Sequence, residues 1–124
     1  MTSCPYSEGN KMIEKSDFGS IQIDGKRYTT DVIIYPDGHV SDNWWRKHGH
    51  RLSLADIEDL IATEPEMIVI GSGVYGRMLP ESGLEAALNA RGIGLIIDAT
   101  GKAIAQFNHL CAKHRIGGGF HLTC

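Results

Sequence analysis

The chain has 124 residues, a length at which a single domain buries about two-thirds of its unfolded surface. Hydrophobic residues make up 42% and charged residues 22% of the sequence, which excludes disordered, collagen-like and coiled-coil proteins. A net charge of −3 offers no broad cationic surface, so we predict neither a nucleic-acid nor a membrane partner.

The first residues differ in character from the rest of the chain. Residues 1–11 contain Pro, Gly and Ser without periodic apolar positions, so we predict a flexible leader followed by one domain at 12–124. No apolar run is long enough for a membrane span or a signal peptide, which predicts a cytoplasmic protein. The three cysteines, Cys4, Cys111 and Cys124, lack the spacing of a disulfide framework and are expected to be reduced.

The N-terminal third shows a strand pattern. Short apolar stretches up to Ile23 are followed by Asp24-Gly25, the dipeptide typical of a two-residue hairpin turn. A second strand is predicted over 27–35, and its continuous apolar end indicates burial on both faces. After the turn residues Pro36-Asp37-Gly38 a third strand is predicted over 39–45. These elements predict an antiparallel meander.

Helices and strands then alternate. Leu54, Ile57, Leu60 and Ile61 recur at helical spacing between Ser53 and Pro65, which predicts a first helix.

The strand Met67–Ile70 comes next, and Ser82 opens a capping-box pattern for a second helix that Gly92 ends. A further strand over 93–98 implies a right-handed parallel crossover.

A third helix is predicted from Ala103 to about His114, and a glycine run then leads to a last strand, Phe120–Cys124. The whole pattern predicts an α/β fold with a central mixed sheet and about three helices.

The glycine-rich turn from Gly71 to Gly76 matches the G-x-G-x-x-G pattern of dinucleotide-binding proteins, and Asp98 lies where a ribose-binding acid belongs. That chemistry requires the next helix to start inside the turn. Pro80 and the capping box at Ser82 place the helix start several residues later. We therefore predict no bound cofactor and interpret the glycines as a tight exit from a buried strand.

The same turn leaves a narrower alternative open. Consecutive amides in a glycine turn can form a nest for an anion. Ser72 can add a hydroxyl and Arg77 a positive charge. This alternative is a small anionic-ligand or enzymatic site formed by Gly71, Ser72, Gly73 and Arg77.

An aromatic and basic segment offers a second candidate surface, made of Trp44, Trp45, Arg46, His48 and His50. Strand alternation puts the two tryptophans on opposite faces, so one packs inward while the other lies on an exposed basic rim. An exposed Trp beside Arg is a frequent anchor in protein contacts. The segment therefore predicts a protein-partner site in preference to a single-stranded nucleic-acid platform.

No catalytic or metal-ligand set is complete in the sequence. Pairs such as His121 with Cys124 lack the further ligands that a CxxC pair or an HExxH helix supplies. The frame of Gly71-Ser72-Gly73 differs from the G-x-S-x-G elbow of serine hydrolases. We predict no catalytic residues and no metal site.

Several segments together resemble the Mth938-domain family of unknown function, over residue 12 to the C-terminus. They are Trp44-Trp45-Arg46, Gly49-His50, Ile68-Val69-Ile70-Gly71-Ser72-Gly73, Phe107-Asn108 and Phe120-His121-Leu122-Thr123-Cys124.

The likeness is closest to the branch with the adipogenesis-associated Mth938 domain-containing protein, and more distant from mitochondrial complex I assembly factors. The resemblance implies a three-layer α/β fold, no assigned enzymatic reaction, and regulatory or assembly roles through protein partners. Our leading hypothesis is thus a non-catalytic cytoplasmic domain that binds a protein; the sequence predicts no oligomeric state.

Overall fold

A computed structural model describes residues 12–47 and 50–123 of the chain. The leader predicted at 1–11 lies outside these residues. The described part forms strands β1 (Ile13–Asp17), β2 (Ser20–Ile23), β3 (Lys26–Tyr28), β4 (Val32–Ile34), β5 (Val40–Ser41), β6 (Arg51–Leu52), β7 (Met67–Ser72), β8 (Leu79–Pro80), β9 (Gly94–Asp98) and β10 (Ile116–His121). Its helices are a 3-10 helix (Leu54–Ile57), α1 (Glu58–Ala62), α2 (Leu84–Asn89) and α3 (Thr100–Cys111).

The first three strands form an antiparallel sheet in the order β1-β2-β3. Asp24 and Gly25 connect β2 to β3 with φ angles of 50° and 80°. Positive φ at both central positions suits a turn whose twist matches the flanking strands. The predicted hairpin is confirmed.

A five-stranded central sheet has the order β5-β4-β10-β7-β9. Strand β10 pairs antiparallel with β4 and parallel with β7, and β7 pairs parallel with β9. The connection from β7 to β9 runs through α2, so the predicted parallel crossover unit is present. The predicted mixed sheet is confirmed.

Two hydrophobic cores cover the two faces of this sheet. Val69 of β7 packs in a core with α3 and the small sheet, whereas its neighbours Ile68 and Ile70 pack in a second core with the 3-10 helix, α1 and α2. Successive strand residues point to opposite faces, so a continuous apolar run is what a doubly covered strand requires. The result is the expected three-layer fold.

Two strand boundaries of the N-terminal third were predicted wrongly. The strand predicted over 27–35 is divided into β3 and β4, which belong to different sheets. The strand predicted over 39–45 is only β5, because Asn43 has a φ of 55°, which lies outside the extended conformation of a strand.

The three consecutive glycines lie within the last strand and do not form a loop before it. An added Cβ at Gly117 would lie 2.7 Å from Leu60, and one at Gly118 would lie 2.7 Å from the Phe120 ring. Cβ atoms do not approach that closely, so β10 needs glycine to lie between two packed layers. The predicted strand start at Phe120 is therefore wrong by four residues, since β10 begins at Ile116.

The segment between β7 and α2 forms an additional strand. Pro80 belongs to β8, which pairs parallel with β6 in a small separate sheet. The helix begins at Leu84, and its N-cap is Gly83, one residue beyond the predicted cap at Ser82. The helix therefore starts several residues after Gly76, whereas dinucleotide binding requires a helix that starts inside the glycine turn.

Candidate functional site

The carboxyl ends of three parallel strands meet at one edge of the central sheet. Strands β7, β9 and β10 end at Ser72, Asp98 and His121. His121 is paired with Ser72, and Asp98 with Gly71. In open α/β sheets ligands usually bind at this edge, which makes it the first place to search for a site.

Asp31 is the centre of a polar cluster at this edge. Its Oδ2 accepts hydrogen bonds from Nδ1 of His121 at 2.7 Å and from Nη2 of Arg46 at 2.8 Å. Its Oδ1 accepts one from the amide of Leu122 at 2.8 Å. The side chains of Arg46 and His121 are only 6% and 9% exposed. Asp31 thus ties the segment after Trp45 to the end of β10.

The hydrogen bonds fix the charges of the cluster. Because the Asp31 oxygen can only accept a hydrogen bond, Nδ1 of His121 carries the proton. The same Nδ1 lies 3.0 Å from Nη2 of Arg46, so this second contact is between two donors. Burial alone would raise the pKa of the Asp31 carboxyl, but the hydrogen bonds from His121, the Leu122 amide and Arg46 outweigh burial and lower the pKa. Asp31 is therefore a carboxylate at neutral pH and balances the Arg46 guanidinium.

Three nitrogens of this cluster are buried without a hydrogen-bond partner among residues 12–47 and 50–123. They are Nε and Nη1 of Arg46 and Nε2 of His121. Native proteins pair about nine in ten of such buried groups. A water molecule or a polar group of a ligand would satisfy them. In the conformation described, Nε2 of His121 does not reach solvent.

The two tryptophans beside the cluster have different environments. Trp44 packs against the second core, and its Nε1 donates a hydrogen bond to the carbonyl of Asp56 at 2.9 Å. The Arg46 guanidinium lies 4.6 Å from the centre of the Trp44 ring. Trp45 is 77% exposed. The predicted division between an inward and an outward Trp is confirmed. The expectation that Arg46 lies on an exposed rim is wrong, because the Asp31 carboxylate draws it inside.

Large exposed hydrophobic side chains surround the same edge of the sheet. We call this set the Trp45 surface; it consists of Phe18, Trp45, Val74, Tyr75 and Leu79.

Backbone hydrogen bonds connect segments of the Trp45 surface to the ends of β7 and β10. Gly19, next to Phe18, donates to the carbonyl of Leu122, and Val74 donates to the carbonyl of Thr123, both at 2.9 Å. Met78, next to Leu79, donates to the carbonyl of Ser72 at the end of β7, and Leu79 donates to the carbonyl of His50, both at 3.0 Å.

The glycine turn uses its own polar groups internally. The amide of Gly73 donates to Oγ1 of Thr100 at 2.9 Å, and the hydroxyl of Ser72 donates to the carbonyl of Asp98 at 2.9 Å. The amide of Gly76 donates to the carbonyl of Gly73 at 3.0 Å. An anion at this turn would have to displace these partners.

The remaining residues of the predicted anion site have other roles in packing. An added Cβ at Gly71 would lie 2.9 Å from both Phe120 and Oγ1 of Thr100, so this glycine permits close approach of two strands and a helix. The guanidinium of Arg77 lies 5.4 Å from the Tyr75 ring centre. The anion site stays a prediction.

The predicted partner-binding residues are separated by the fold. Trp44 and Arg46 are internal, Trp45 and His50 are exposed, and His48 lies outside the described residues.

Sequence reasoning does not single out Asp31 or His121 as a pair. They are two among many acidic and histidine residues, and only the pairing of β4 with β10 brings them together.

Two further searches concern metals and membranes. Within residues 12–47 and 50–123, no three His, Cys, Asp or Glu side chains are grouped closely enough to hold a metal ion. In the same part of the chain no helix has the length and apolar character needed to cross a membrane.

Solved structures of similar proteins support the fold. A conserved hypothetical protein from Pyrococcus horikoshii OT3 is 28% identical, with a TM-score of 0.80 over 90% of this chain and 98% of that one. A protein called MT938 is also 28% identical, with a TM-score of 0.76 over 93% of this chain and 100% of its own. A Mth938-like domain from Bordetella pertussis, at 18% identity, has a TM-score of 0.66 over 98% and 91% of the two chains, and shows the shared fold alone.

The family model for a protein of unknown function, DUF498/DUF598, matches residues 13–121. This range includes β1 to β10 and hence the Asp31 cluster and the glycine turn. The resemblance to the adipogenesis-associated branch stays a prediction. The chain belongs to the Mth938-like DUF498 family, whose members share this α/β fold and whose function is unknown.

Proposed function

We propose that the chain is a non-catalytic cytoplasmic domain that acts as a regulatory or assembly factor by binding a protein partner through the Trp45 surface. The observation that carries this proposal is the exposure of Trp45, at 77%, beside four further exposed apolar side chains on segments joined at one edge of the sheet. Exposed apolar patches on small domains often mark interaction sites.

The position of Trp45 is fixed from both sides. Trp44 is held by its hydrogen bond to Asp56, and Arg46 by its ion pair with Asp31. Because the backbone at Trp45 is already ordered, binding there requires little further ordering of the backbone. Trp and Tyr are also the residues most enriched among binding hot spots. Trp45 and Tyr75 are therefore the expected anchors.

The Asp31–His121 pair supports a structural role over a catalytic one. A general base must reach the proton it removes, within about 3 Å or through one water molecule. Nε2 of His121 is buried, and its Nδ1 is committed to Asp31. The pair instead links the end of β10 to the segment that presents Trp45. The odd number of cysteines without framework spacing supports the cytoplasmic part of the proposal.

The test uses a photo-crosslinking amino acid in place of Trp45 in the full chain expressed in cells. The same amino acid in place of Glu85, an exposed residue of α2, is the matched control. A protein crosslinked only from position 45 is then purified and its affinity for the unmodified chain is measured. Fractionation of the same cells tests the cytoplasmic assignment separately. Recovery of the chain with mitochondrial or membrane fractions would contradict that assignment.

The binary complex decides the proposal. We expect the double variant Trp45→Ala, Leu79→Ala to weaken binding by about 2 kcal/mol or more, roughly 30-fold in Kd, because one expected anchor and a second exposed apolar side chain are lost. Glu85→Ala should leave Kd unchanged. Equal affinity of the double variant and the unmodified chain would overturn the proposal.

A further inference from the structure

A cavity of about 370 Å³ lies beside the Trp45 surface, between the β4–β5 hairpin and the 3-10 helix with α1. Ile33 of β4 contributes to its apolar lining, and Tyr35, Trp44 and Trp45 contribute aromatic rings. The volume falls in the range of about 300–1,000 Å³ that is usual for pockets that bind small groups. The cavity is therefore large enough for one side chain of a partner.

The charged lining of the cavity is unbalanced. Among the described residues, four carboxylates line it, from Asp42, Asp56, Glu58 and Asp59, against a single cation, Lys47. Asp56 is already engaged, because its two oxygens accept the amides of Lys47 at 3.1 Å and Ser53 at 2.9 Å.

The other three carboxylates are exposed. Within residues 12–47 and 50–123, no hydrogen bond to the side-chain carboxylate of Asp42, Glu58 or Asp59 is present.

The acidic and aromatic groups act on one another across the cavity. Burial, together with the negative charge of Asp59, raises the pKa of the Tyr35 hydroxyl. Tyr35 and Asp59 both line the cavity. Aromatic ring faces attract cations, best at Trp, and the nearby Arg46–Trp44 contact at 4.6 Å shows this attraction in the same segment of the chain.

We propose that this cavity receives the ammonium group of a lysine side chain of the protein partner. The charge complementarity between three unbonded carboxylates and an ammonium selects a cation, and the apolar and aromatic walls suit the four-carbon stem that precedes it. This inference rests on the proposed function, since it names the chemistry of the partner segment that would lie next to Trp45.

The test is an NMR titration of the ¹⁵N-labelled full chain with the peptide acetyl-Gly-Lys-Gly-amide. The matched control peptide carries acetyl-lysine, which keeps the length but removes the charge. We expect saturable shifts of the Trp44 and Trp45 indole signals with the lysine peptide, weakened by added salt, and none with the acetylated peptide. Equal shifts with both peptides, or none with either, would overturn the inference.

Two variants test whether the carboxylates of the cavity bind the lysine ammonium group. The double variant Asp42→Asn, Asp59→Asn should weaken binding of the lysine peptide at least about fivefold, given the usual strength of exposed ion pairs. Asp17→Asn, an exposed acid at the end of β1, should have no effect. Both substituted carboxylates are exposed, so the fold should be retained, as unchanged amide spectra elsewhere would verify. Undiminished peptide binding by the double variant would contradict the inference.

This inference and the proposed function can fail separately. If the crosslinked partner loses affinity on Trp45→Ala, Leu79→Ala but not on Asp42→Asn, Asp59→Asn, the Trp45 surface is the interface and the lysine site is wrong. If the lysine peptide binds but no partner depends on Trp45, the proposed interface is wrong.

Discussion

Nδ1 of His121 lies 2.7 Å from Oδ2 of Asp31, although the two residues are 90 positions apart in the sequence. This contact, with the 2.8 Å ion pair between Asp31 and Arg46, fastens the Trp44–Arg46 segment to the last strand. Removing one member of a buried charged pair leaves the others without compensation and usually costs several kcal/mol. The stability of the Trp45 surface should therefore depend on Asp31.

Asp31→Asn should lower the free energy of unfolding at pH 7 by about 3 kcal/mol, because the Arg46 guanidinium loses its counter-charge inside the protein. The measurement is urea unfolding followed by circular dichroism. Asp17→Asn, on an exposed face of β1, is the control and should change stability by less than about 0.5 kcal/mol. Equal stability of Asp31→Asn and the unmodified protein would show that the ion pair contributes nothing.

The effect of Asp31 should also depend on pH. Its pKa in the folded protein is below the ordinary value of 3.8, so the folded state binds the proton less tightly than the unfolded state. The stabilisation is then fully present above about pH 5 and declines as pH falls through the lowered pKa. The difference in unfolding free energy between the unmodified protein and Asp31→Asn should shrink between pH 5 and acid. A constant difference across this range would contradict the assignment.

Local chemistry explains which parts of the site the sequence could predict. The Asp24-Gly25 turn follows from backbone preference, which acts between neighbouring residues. The inward and outward tryptophans agree with the prediction from strand alternation, although Trp44 and Trp45 lie after the end of β5. The burial of Arg46 depends on Asp31 and His121, which the antiparallel pairing of β4 with β10 brings close. No periodicity in the sequence encodes that long-range pairing. The prediction of an exposed rim was wrong for Arg46 for this reason, whereas Lys47, His50 and Arg51 are exposed.

The last strand shows the same limit in packing. Gly117, Gly118 and Gly119 have low intrinsic strand preference, so local reasoning assigns them to a loop. In the fold these glycines are needed because the side chains of Leu60, Phe107 and Trp44 pack closely against the two faces of the strand. A requirement for small residues that comes from three distant side chains is visible only once the layers are assembled.

Gly119→Ala should therefore disturb the site directly. The new Cβ would lie 2.9 Å from Cη2 of Trp44, a ring already held by its hydrogen bond to Asp56 and by Arg46. We expect a loss of about 1–3 kcal/mol in unfolding free energy, as for overpacked cores, with a shift of the Trp44 indole NMR signal.

Gly101→Ala in α3 is the matched control for Gly119→Ala. No atom lies within 4 Å of an added Cβ at Gly101, and alanine favours helix, so this variant should gain about 0.5 kcal/mol. If both alanine variants were equally stable, the contact of Trp44 with β10 would not be as close as described.

Thr100 offers a final test, because its buried hydroxyl connects the glycine turn to the last strand. Oγ1 donates to the carbonyl of His121 at 2.6 Å and accepts the amide of Gly73 at 2.9 Å. Thr100→Val keeps the shape but leaves both backbone groups buried and unbonded, which should cost about 2–3 kcal/mol and speed hydrogen exchange at the Gly73 amide. Thr100→Ser retains the hydroxyl and should keep that amide protected. Equal protection of Gly73 in both variants would mean that the turn is held by its own backbone bonds and not by α3.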